Sequence, residues 1–585
     1  MRYTDIPAAH LVVAYCKSAG VRQVVLSPGS RNAPLVLGFT SDPYFECFSV
    51  VDERSAAFFA LGLSQQSGNP TALVCTSGSA LLNYYPAVAE AYYSRIPLLV
   101  LSADRPVYKI DIGDGQTIRQ DGVYGNHIGF QGNLQQDVTH APASIRWEGG
   151  REPGDPRSLH EMQARILAEN EARVQAALQT AMEDHLPVHL NIPFEEPLYG
   201  TSPEPPVEIR PTLQPRLPEI NGEGEDLLGH WQEAGRKMVL IGSLPPGSLS
   251  DAVVERMAAD PSLLVFTETT SNLHHPEFFP SIDSVLAPIE RSGQPAPSFE
   301  ALRPDLLLTL GGMVVSKKVK QFLRAYPPAG HWHVGPHNAN DTFFSLTGHV
   351  RSDADHFLGD FLPRTQPDTK SGYRARWSPV RDAYRKRRTA YLGQIPFSDF
   401  SAFEAVMKAI PDGYMVQLAN SSTVRYAQLF DMRPGNPVFC NRGTSGIEGS
   451  TSTAVGAAHN YEGPTLLLSG DLSFLYDING LWNDRLRDDF RVIVINNGGG
   501  GIFRILPGKE DSDAFADYFE TVHNRDMEPV CNMFGMGYRR AASAGELEAA
   551  LDGFWDPSGR PILLEVRTPR EINDRILLDY FDFLT

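Results

Sequence analysis

The sequence predicts an α/β protein built from three doubly wound, parallel-sheet domains, and three observations carry that expectation. Short apolar runs alternate with longer amphipathic stretches, the order that lays helices on both faces of a parallel sheet. The chain has 585 residues, room for roughly three or four domains at about 150 residues each. Two proline-rich stretches then divide it: YGTSPEPPVEIRPTLQPRLPEI from Tyr199 to Ile220 and, more weakly, LPRTQPDTKSGYRARWSP from Leu362 to Pro379. The reading is a first domain over 1–198, a linker over 199–220, a middle domain over 221–365, a linker over 366–395 and a last domain over 396–585.

In the first domain VVLSP, FSVVDE, TALVCTSG and IPLLVLSAD read as strands, with ERSAAFFALGLSQQ and ALLNYYPAVAEAYYSR as helices between them. KMVLIGS, SLLVFTET and DLLLTLGG repeat the strand pattern in the middle domain. YMVQLANSS, PVFCNRG, TLLLSGD, RVIVINN and PILLEVR follow in the last. In sheets of this kind ligands sit at the carboxyl ends of the strands.

The composition, 42% hydrophobic and 21% charged, is that of a soluble globular protein. With 51 Lys and Arg against 70 Asp and Glu, the net charge is −19. Such a chain repels nucleic acid and acidic membrane surfaces, so an anionic substrate has to be met by local clusters of Arg and Lys. The five cysteines are scattered, odd in number and without a CxxC, as expected of small apolar residues in a reducing compartment. MRYTDIPAAHLVVAYC lacks the basic-then-apolar layout of a signal peptide. No apolar run approaches the ~20 residues of a membrane span. A cytoplasmic location is the expectation, with no membrane span and no nucleic-acid partner.

The most telling stretch is GDLSFLYDINGLWNDRLRDDFRVIVINNGGGGIF, from Gly470 to Phe503. If TLLLSGD and RVIVINN are neighbouring parallel strands, Asp471 and Asn497 emerge at one sheet edge. Oxygen ligands of this kind suit Mg²⁺. Gly498 to Gly501 let backbone come close to a bulky anion, and a helix opening after Asp471 would turn its positive end toward phosphates. No GKS or GKT follows, and GxGxxG is absent. A tight strand-to-helix turn made of ordinary turn residues remains open at this level. Glu53, in VVDERSAAFFALGL, stands where an apolar run meets a helical stretch. Alone, it would be a first-turn acid complementing the helix dipole.

In combination, a Glu at a strand end of the first domain and GD followed by NN in the last resembles the thiamine-diphosphate enzymes across nearly the whole chain. The fold implied is the pyruvate decarboxylase/acetolactate synthase-like type, with pyrimidine-binding, middle and diphosphate-binding domains. The family's GDG…NN motif is present as Gly470-Asp471-Leu472 … Asn496-Asn497, with Leu472 in place of the third glycine, which points to a subgroup. By this resemblance Asp471, Asn497 and the carbonyl of Gly499 hold Mg²⁺ (or Mn²⁺), and the ion holds the diphosphate of thiamine diphosphate. Leu472, Ser473, Ser421 and Ile502 line the cofactor, and Ile447 props it in its bent shape. Glu53 bonds to the pyrimidine ring nitrogen and favours the imino tautomer, which then acts as an intramolecular base on the thiazolium carbon; proximity supplies most of the gain. In the family the Glu-bearing domain meets the diphosphate domain of another subunit. A homodimer or homotetramer with active sites at the subunit interface is implied.

SPGSRNAPL (Ser27 to Leu35), SADRP (Ser102 to Pro106), GQTIRQ (Gly115 to Gln120) and NRGTSGIEG (Asn441 to Gly449) narrow the likeness. With GDLSFLYDINGL and NNGGGGIFRILP they are similar to the 2-succinyl-5-enolpyruvyl-6-hydroxy-3-cyclohexene-1-carboxylate synthases of menaquinone biosynthesis. The match is strong in the first and last domains and weak in the middle one. It implies decarboxylation of 2-oxoglutarate and 1,4-addition of the succinyl carbanion equivalent to isochorismate. Two dicarboxylic substrates need cations, and the matching positions are Arg31, Arg105, Arg425 and Arg442, with Lys317 and Lys318 in VVSKKVKQF. An Arg fork grips a carboxylate with two charge-assisted bonds, whereas KK pairs are commonplace on exposed helices. Ser30, Gln116 and Ser421 line the pocket, and Ile502 and Phe503 form an apolar wall.

Other signals carry less. HWHVGPH (His331 to His337) and His274–His275 lack a third ligand motif for zinc, and neither HExxH nor GxSxG occurs. The basic run from Arg374 to Arg388 reads as a solvated helix face or a tie between domains. Another carboligating thiamine enzyme, of acetolactate synthase or 2-oxoacid decarboxylase type, would need no arginine cluster for a second dicarboxylate. An NAD- or nucleotide-binding protein would carry GxGxxG where SPGSR stands and would have no use for Glu53. A catalytically dead structural oligomer would have no reason to keep Glu53, Asp471 and Asn497 together.

Overall fold

The computed structural model describes residues 2–146, 156–212, 224–505 and 512–585. The part of the expected first linker that falls on 213–220 lies outside the described residues. The chain forms two compact units. The first comprises Met1–Leu217 with Glu448–Glu462 and Tyr476–Arg487, and the second Pro218–Ile447 with Gly463–Leu475 and Asp488–Thr585.

In the first unit the short strands β1 (Tyr3–Thr4) and β8 (Thr201–Ser202) pair antiparallel. The main sheet holds β2 (Gln23–Leu26), β3 (Glu46–Ser49), β4 (Thr71–Cys75), β5 (Leu98–Asp104), β6 (Phe130–Asn133) and β7 (Val188–Pro193). Its order is β3-β2-β4-β5-β7-β6, parallel throughout. All residues of β4, β5 and β7 are buried, which is why these segments read as continuous apolar runs rather than alternating ones. The order reverses between β2 and β4, so the loops after these strands flank a crevice at the carboxyl edge.

Two helices of this unit, Glu53–Ser67 and Ser450–Asn460, cross at glycines. A Cβ on Gly62 would lie 2.1 Å from the Thr453 carbonyl oxygen, and one on Gly456 would lie 2.0 Å from that of Phe59. Both obstacles are backbone and cannot swing aside. Gly456→Ala is therefore expected to force the helices apart at a cost of about 3 kcal/mol, read as a lowered thermal midpoint of the purified protein with the far-ultraviolet spectrum retained.

The second unit carries two sheets. The first holds β9 (Lys237–Ile241), β10 (Leu263–Phe266), β11 (Leu306–Leu310), β12 (Gly330–Val334) and β13 (Gly348–Val350), ordered β10-β9-β11-β12-β13 and parallel. The other holds β14 (Met415–Leu418), β15 (Val438–Cys440), β16 (Thr465–Gly470), β17 (Phe490–Asn496), β18 (Gly537–Ala541) and β19 (Ile562–Arg567). Its order is β15-β14-β16-β17-β19-β18, again parallel. It reverses between β14 and β16, which places the loops after Leu418 and Gly470 at its switch point.

The stretch expected as a linker over 366–395 is largely a helix, Tyr373–Leu392, that buries Tyr373, Trp377, Arg381, Tyr384 and Tyr391. Its basic run is a tie: Arg374 Nη1 donates to the Ala258 carbonyl at 2.5 Å, and Arg388 Nη2 meets Asp431 Oδ2 at 2.7 Å. His331 and His333, on β12, both face Thr309 Oγ1, at 3.0 and 3.1 Å. Burial pulls both imidazoles down to about 4. Among the described residues no group of three His, Cys, Asp or Glu could hold a metal, and no helix is long and apolar enough to cross a membrane. The five cysteines are free thiols, four of them buried.

Candidate functional site

In the first unit the switch-point loops are packed tightly. A Cβ on Gly29 would lie 2.3 Å from that of Thr76. Ser30 is exposed beside it, while Arg31 is buried. Arg31 Nη1 donates to the Phe194 carbonyl at 3.0 Å and Nη2 pairs with the exposed Glu196 at 2.9 Å. Arg105, just past β5, donates from Nη1 to Ser77 Oγ at 2.7 Å and to the Gln116 carbonyl at 2.8 Å. Gln116 itself is exposed, at φ 53°. Burial raises the Asp104 carboxyl, and Asn191, Arg105 and Arg31 draw it back down. Arg31 and Arg105 thus stand in the field of one buried acid.

Glu53 is the first residue of its helix, but it does not cap it. Asp52 does: its Oδ1 accepts from Arg54 N at 2.9 Å and from Ser55 N at 3.3 Å, and its Oδ2 accepts from Asn479 Nδ2 at 2.7 Å. The half-buried Glu53 carboxyl instead accepts from Asn83 Nδ2 at 3.2 Å. With capping assigned to its neighbour, the purely helix-supporting account of Glu53 weakens.

In the second unit Gly470 pairs with Ile495 in the β16–β17 register, which brings Asp471 and Asn497 to one edge. Asp471 Oδ2 accepts from Gly498 N at 2.9 Å and Gly499 N at 3.0 Å, and Oδ1 accepts from Leu472 N at 2.7 Å. One carboxylate thereby shapes the glycine loop. Gly499 has φ 152°, and a Cβ there would sit 2.7 Å from the Glu520 carbonyl oxygen, so glycine is required. Asn497 Nδ2 donates to Asp399 Oδ2 at 2.8 Å, which leaves its amide oxygen as the end able to serve a cation. A carboxylate with lone pairs to spare, an amide oxygen and the Gly499 carbonyl form a donor set that fits Mg²⁺. Ser473 Oγ donates to the Ile447 carbonyl at 2.6 Å, tying two residues expected at the cofactor. Ile502 and Phe503 lie half-buried in the turn Gly501–Ile505, with Phe503 edge-on to Phe519 at 6.3 Å.

The same sheet edge carries Arg425 and Arg442, and the helix after β11 of the other sheet adds lysines. Ser421, at φ 66°, opens the short helix Ser422–Ala427 that carries Arg425. Burial pulls the Arg425 guanidinium below its ordinary value, and the charge of Arg442 adds to this. Arg442 is buried; Nη1 donates to Asn420 Oδ1 at 2.5 Å, while Nε has no hydrogen-bond partner among the described residues. Lys317 opens the helix Lys317–Ala325 and is exposed. Lys318 pairs with Glu290 and lies 5.6 Å from the Phe581 ring. Lys320, which the sequence reading passed over, has its ammonium lowered by burial, with Glu268 pulling upward and Arg442, Arg324 and Arg425 pushing down. Three half-buried or buried cations in one another's field favour an anion between them.

Sequence reasoning missed Lys320, Glu268, His523 and Asp399. The i, i+3 spacing of Lys317 and Lys320 in SKKVK was the signal available for the first. Glu268 accepts from Val315 N and Ser316 N, both at 2.7 Å, at the start of the lysine helix; burial pushes its carboxyl up to about 7. His523 Nε2 lies 3.3 Å from Asp471 Oδ2. Asp399 is raised to about 6, by burial first, with the charge of Asp471 acting the same way.

The chain matches the family "Thiamine pyrophosphate enzyme, N-terminal TPP binding domain" over residues 6–139 and "Thiamine pyrophosphate enzyme, C-terminal TPP binding domain" over residues 420–566. Curated relatives are similar end to end. The 2-succinyl-5-enolpyruvyl-6-hydroxy-3-cyclohexene-1-carboxylate synthase of Christiangramia forsetii is 47% identical over 587 residues, 100% of each chain. That of Flavobacterium johnsoniae is 46% identical over 588 residues, again 100% of each. The synthase of Porphyromonas gingivalis is 37% identical, covering 100% of this chain and 98% of its own.

Proposed function

This chain belongs to the family of 2-succinyl-5-enolpyruvyl-6-hydroxy-3-cyclohexene-1-carboxylate synthases, thiamine-diphosphate-dependent enzymes of menaquinone biosynthesis, and on that premise we propose how its residues divide the work. The reaction is decarboxylation of 2-oxoglutarate and 1,4-addition of the succinyl unit to isochorismate, releasing CO₂. Bound thiamine diphosphate supplies the electron sink for both steps. Asp471, the Asn497 amide oxygen and the Gly499 carbonyl hold the divalent cation, Mg²⁺ or Mn²⁺, and through it the diphosphate. Leu472, Ser473, Ser421, Ile447 and Ile502 enclose the cofactor. Glu53 holds a proton at the pyrimidine ring nitrogen.

Arg425, Arg442 and Lys320, with Lys317, Arg31, Arg105, Ser30 and Gln116, receive the carboxylates and hydroxyl groups of the two substrates, and Phe503 walls the ring; Lys318, expected among them, is held by Glu290 instead. Each site takes Glu53 from one subunit and the Asp471 loop from the next, so the working protein is a homodimer or homotetramer in the cytoplasm. The observation that carries this reading is that one sheet edge bears both the oxygen-donor loop, after β16 and β17, and the cations after β14 and β15.

The test is direct: protein, thiamine diphosphate, Mg²⁺ and 2-oxoglutarate are mixed, and loss of isochorismate is followed at its ultraviolet band. Turnover is expected with 2-oxoglutarate and not with pyruvate; the reverse would favour an acetolactate synthase-type reaction. Arg425→Ala is expected to raise KM for a dicarboxylate substrate about 10- to 100-fold, the loss of one charge-assisted hydrogen-bond pair. An unchanged KM for both substrates would remove Arg425 from the site.

A further inference from the structure

We propose that Asp399 is a positioning residue for the metal-holding loop: its carboxylate orients the Asn497 side chain so that the amide oxygen, not the amide nitrogen, is presented to the cation. This rests on the reading of Asp471, Asn497 and Gly499 as the cation's ligands. Asp399 is the first residue of the helix Asp399–Ala409, yet the cap is supplied by its neighbours. Ser398 Oγ accepts from Ser401 N at 3.4 Å and Ser401 Oγ accepts from Ser398 N at 2.9 Å. The Asp399 carboxylate is therefore not needed for capping, although the helix start favours its charge.

It is instead directed at the carboxyl edge of the sheet. Oδ2 accepts from Asn497 Nδ2 at 2.8 Å and Oδ1 accepts from Thr568 Oγ1 at 2.5 Å, just past β19. Its backbone N donates to Asn573 Oδ1 at 2.9 Å, and Asn573 Nδ2 donates to the Pro569 carbonyl at 2.8 Å, which braces the arrangement. Asp399 is 3% exposed, so its position is set by packing. An ionised carboxylate only accepts hydrogen bonds. Asn497 must therefore turn its NH₂ toward Asp399, and its oxygen points the opposite way. Without that acceptor the amide is free to flip and offer a cation two N–H groups, which is no ligand at all. Outer partners of this kind commonly change metal affinity by about 10- to 100-fold.

The experiment measures Mg²⁺-dependent binding of thiamine diphosphate by equilibrium dialysis, with near-ultraviolet circular dichroism as the check on folding. Asp399→Asn has the same shape but a single acceptor oxygen for two donors. It is expected to weaken apparent Mg²⁺ affinity about 10- to 100-fold. Asp399→Asn combined with Asn497→Asp restores the geometry: the new amide donates to the new carboxylate, whose other oxygen faces the cation. Recovery to within a few-fold of the wild type is expected. Unchanged affinity in the single variant overturns the proposal, as does a double variant as weak as the single. If the wild type binds the cofactor with no dependence on Mg²⁺, the ligand reading itself fails, an outcome distinct from the other two.

Discussion

Glu53→Gln is expected to lower turnover about 10²- to 10⁴-fold, the range for removing a positioned proton-transfer group. The effect should fall on CO₂ release from 2-oxoglutarate, before isochorismate is needed. The amide is nearly the size of the carboxyl and leaves the Asp52 cap and its bonds to Arg54 N and Ser55 N untouched. Asn83 can still donate to the remaining oxygen. Folding and Mg²⁺-dependent cofactor binding should therefore stay close to wild type. Release of ¹⁴CO₂ from labelled 2-oxoglutarate, with equilibrium dialysis in parallel, separates the two. Near-normal release would show that Glu53 is only a first-turn acid.

Asp471→Ala is expected to act at the other end of the cofactor. It removes a proposed ligand and also the acceptor that gathers Gly498 N and Gly499 N. Mg²⁺-dependent retention of thiamine diphosphate should fall more than about 100-fold, beyond the range for an outer partner alone. Activity should not return at saturating cofactor, because the glycine loop loses its shape as well as its charge. Retention within a few-fold of wild type would move the cation elsewhere. The two variants also test the shared site. If each site combines Glu53 of one subunit with Asp471 of another, mixing the two inactive proteins regains activity. Freely exchanging dimers would then carry roughly a quarter of their sites intact. No recovery on mixing, with exchange demonstrated, would place both residues of a site in one chain.

Much of this was legible because it is local. Strand and helix alternate as the apolar runs indicated, and a parallel pairing of TLLLSG with RVIVIN is enough to bring Asp471 beside Asn497. The glycines announce themselves through a backbone conformation that other residues avoid. The cations were only half legible. A KK pair states two charges but not their directions: Lys318 is taken up by Glu290, while Lys320 joins Arg425 and Arg442. The basic run from Arg374 to Arg388 reads in sequence as a solvated helix face or a tie, and only packing chooses between them: the helix Tyr373–Leu392 buries Tyr373, Trp377, Tyr384 and Tyr391 along one stripe.

By itself, the sequence determined the three parallel sheets, the carboxyl-edge loops and the types of residue on them, because periodicity and turn chemistry depend on near neighbours. Only the tertiary structure decided that Asp52 rather than Glu53 caps its helix, that Gly62 and Gly456 let two helices touch, and that Asp399 reaches Asn497 across 98 residues. Those outcomes turn on which surfaces pack together, and packing energies belong to pairs of distant segments that no local pattern records.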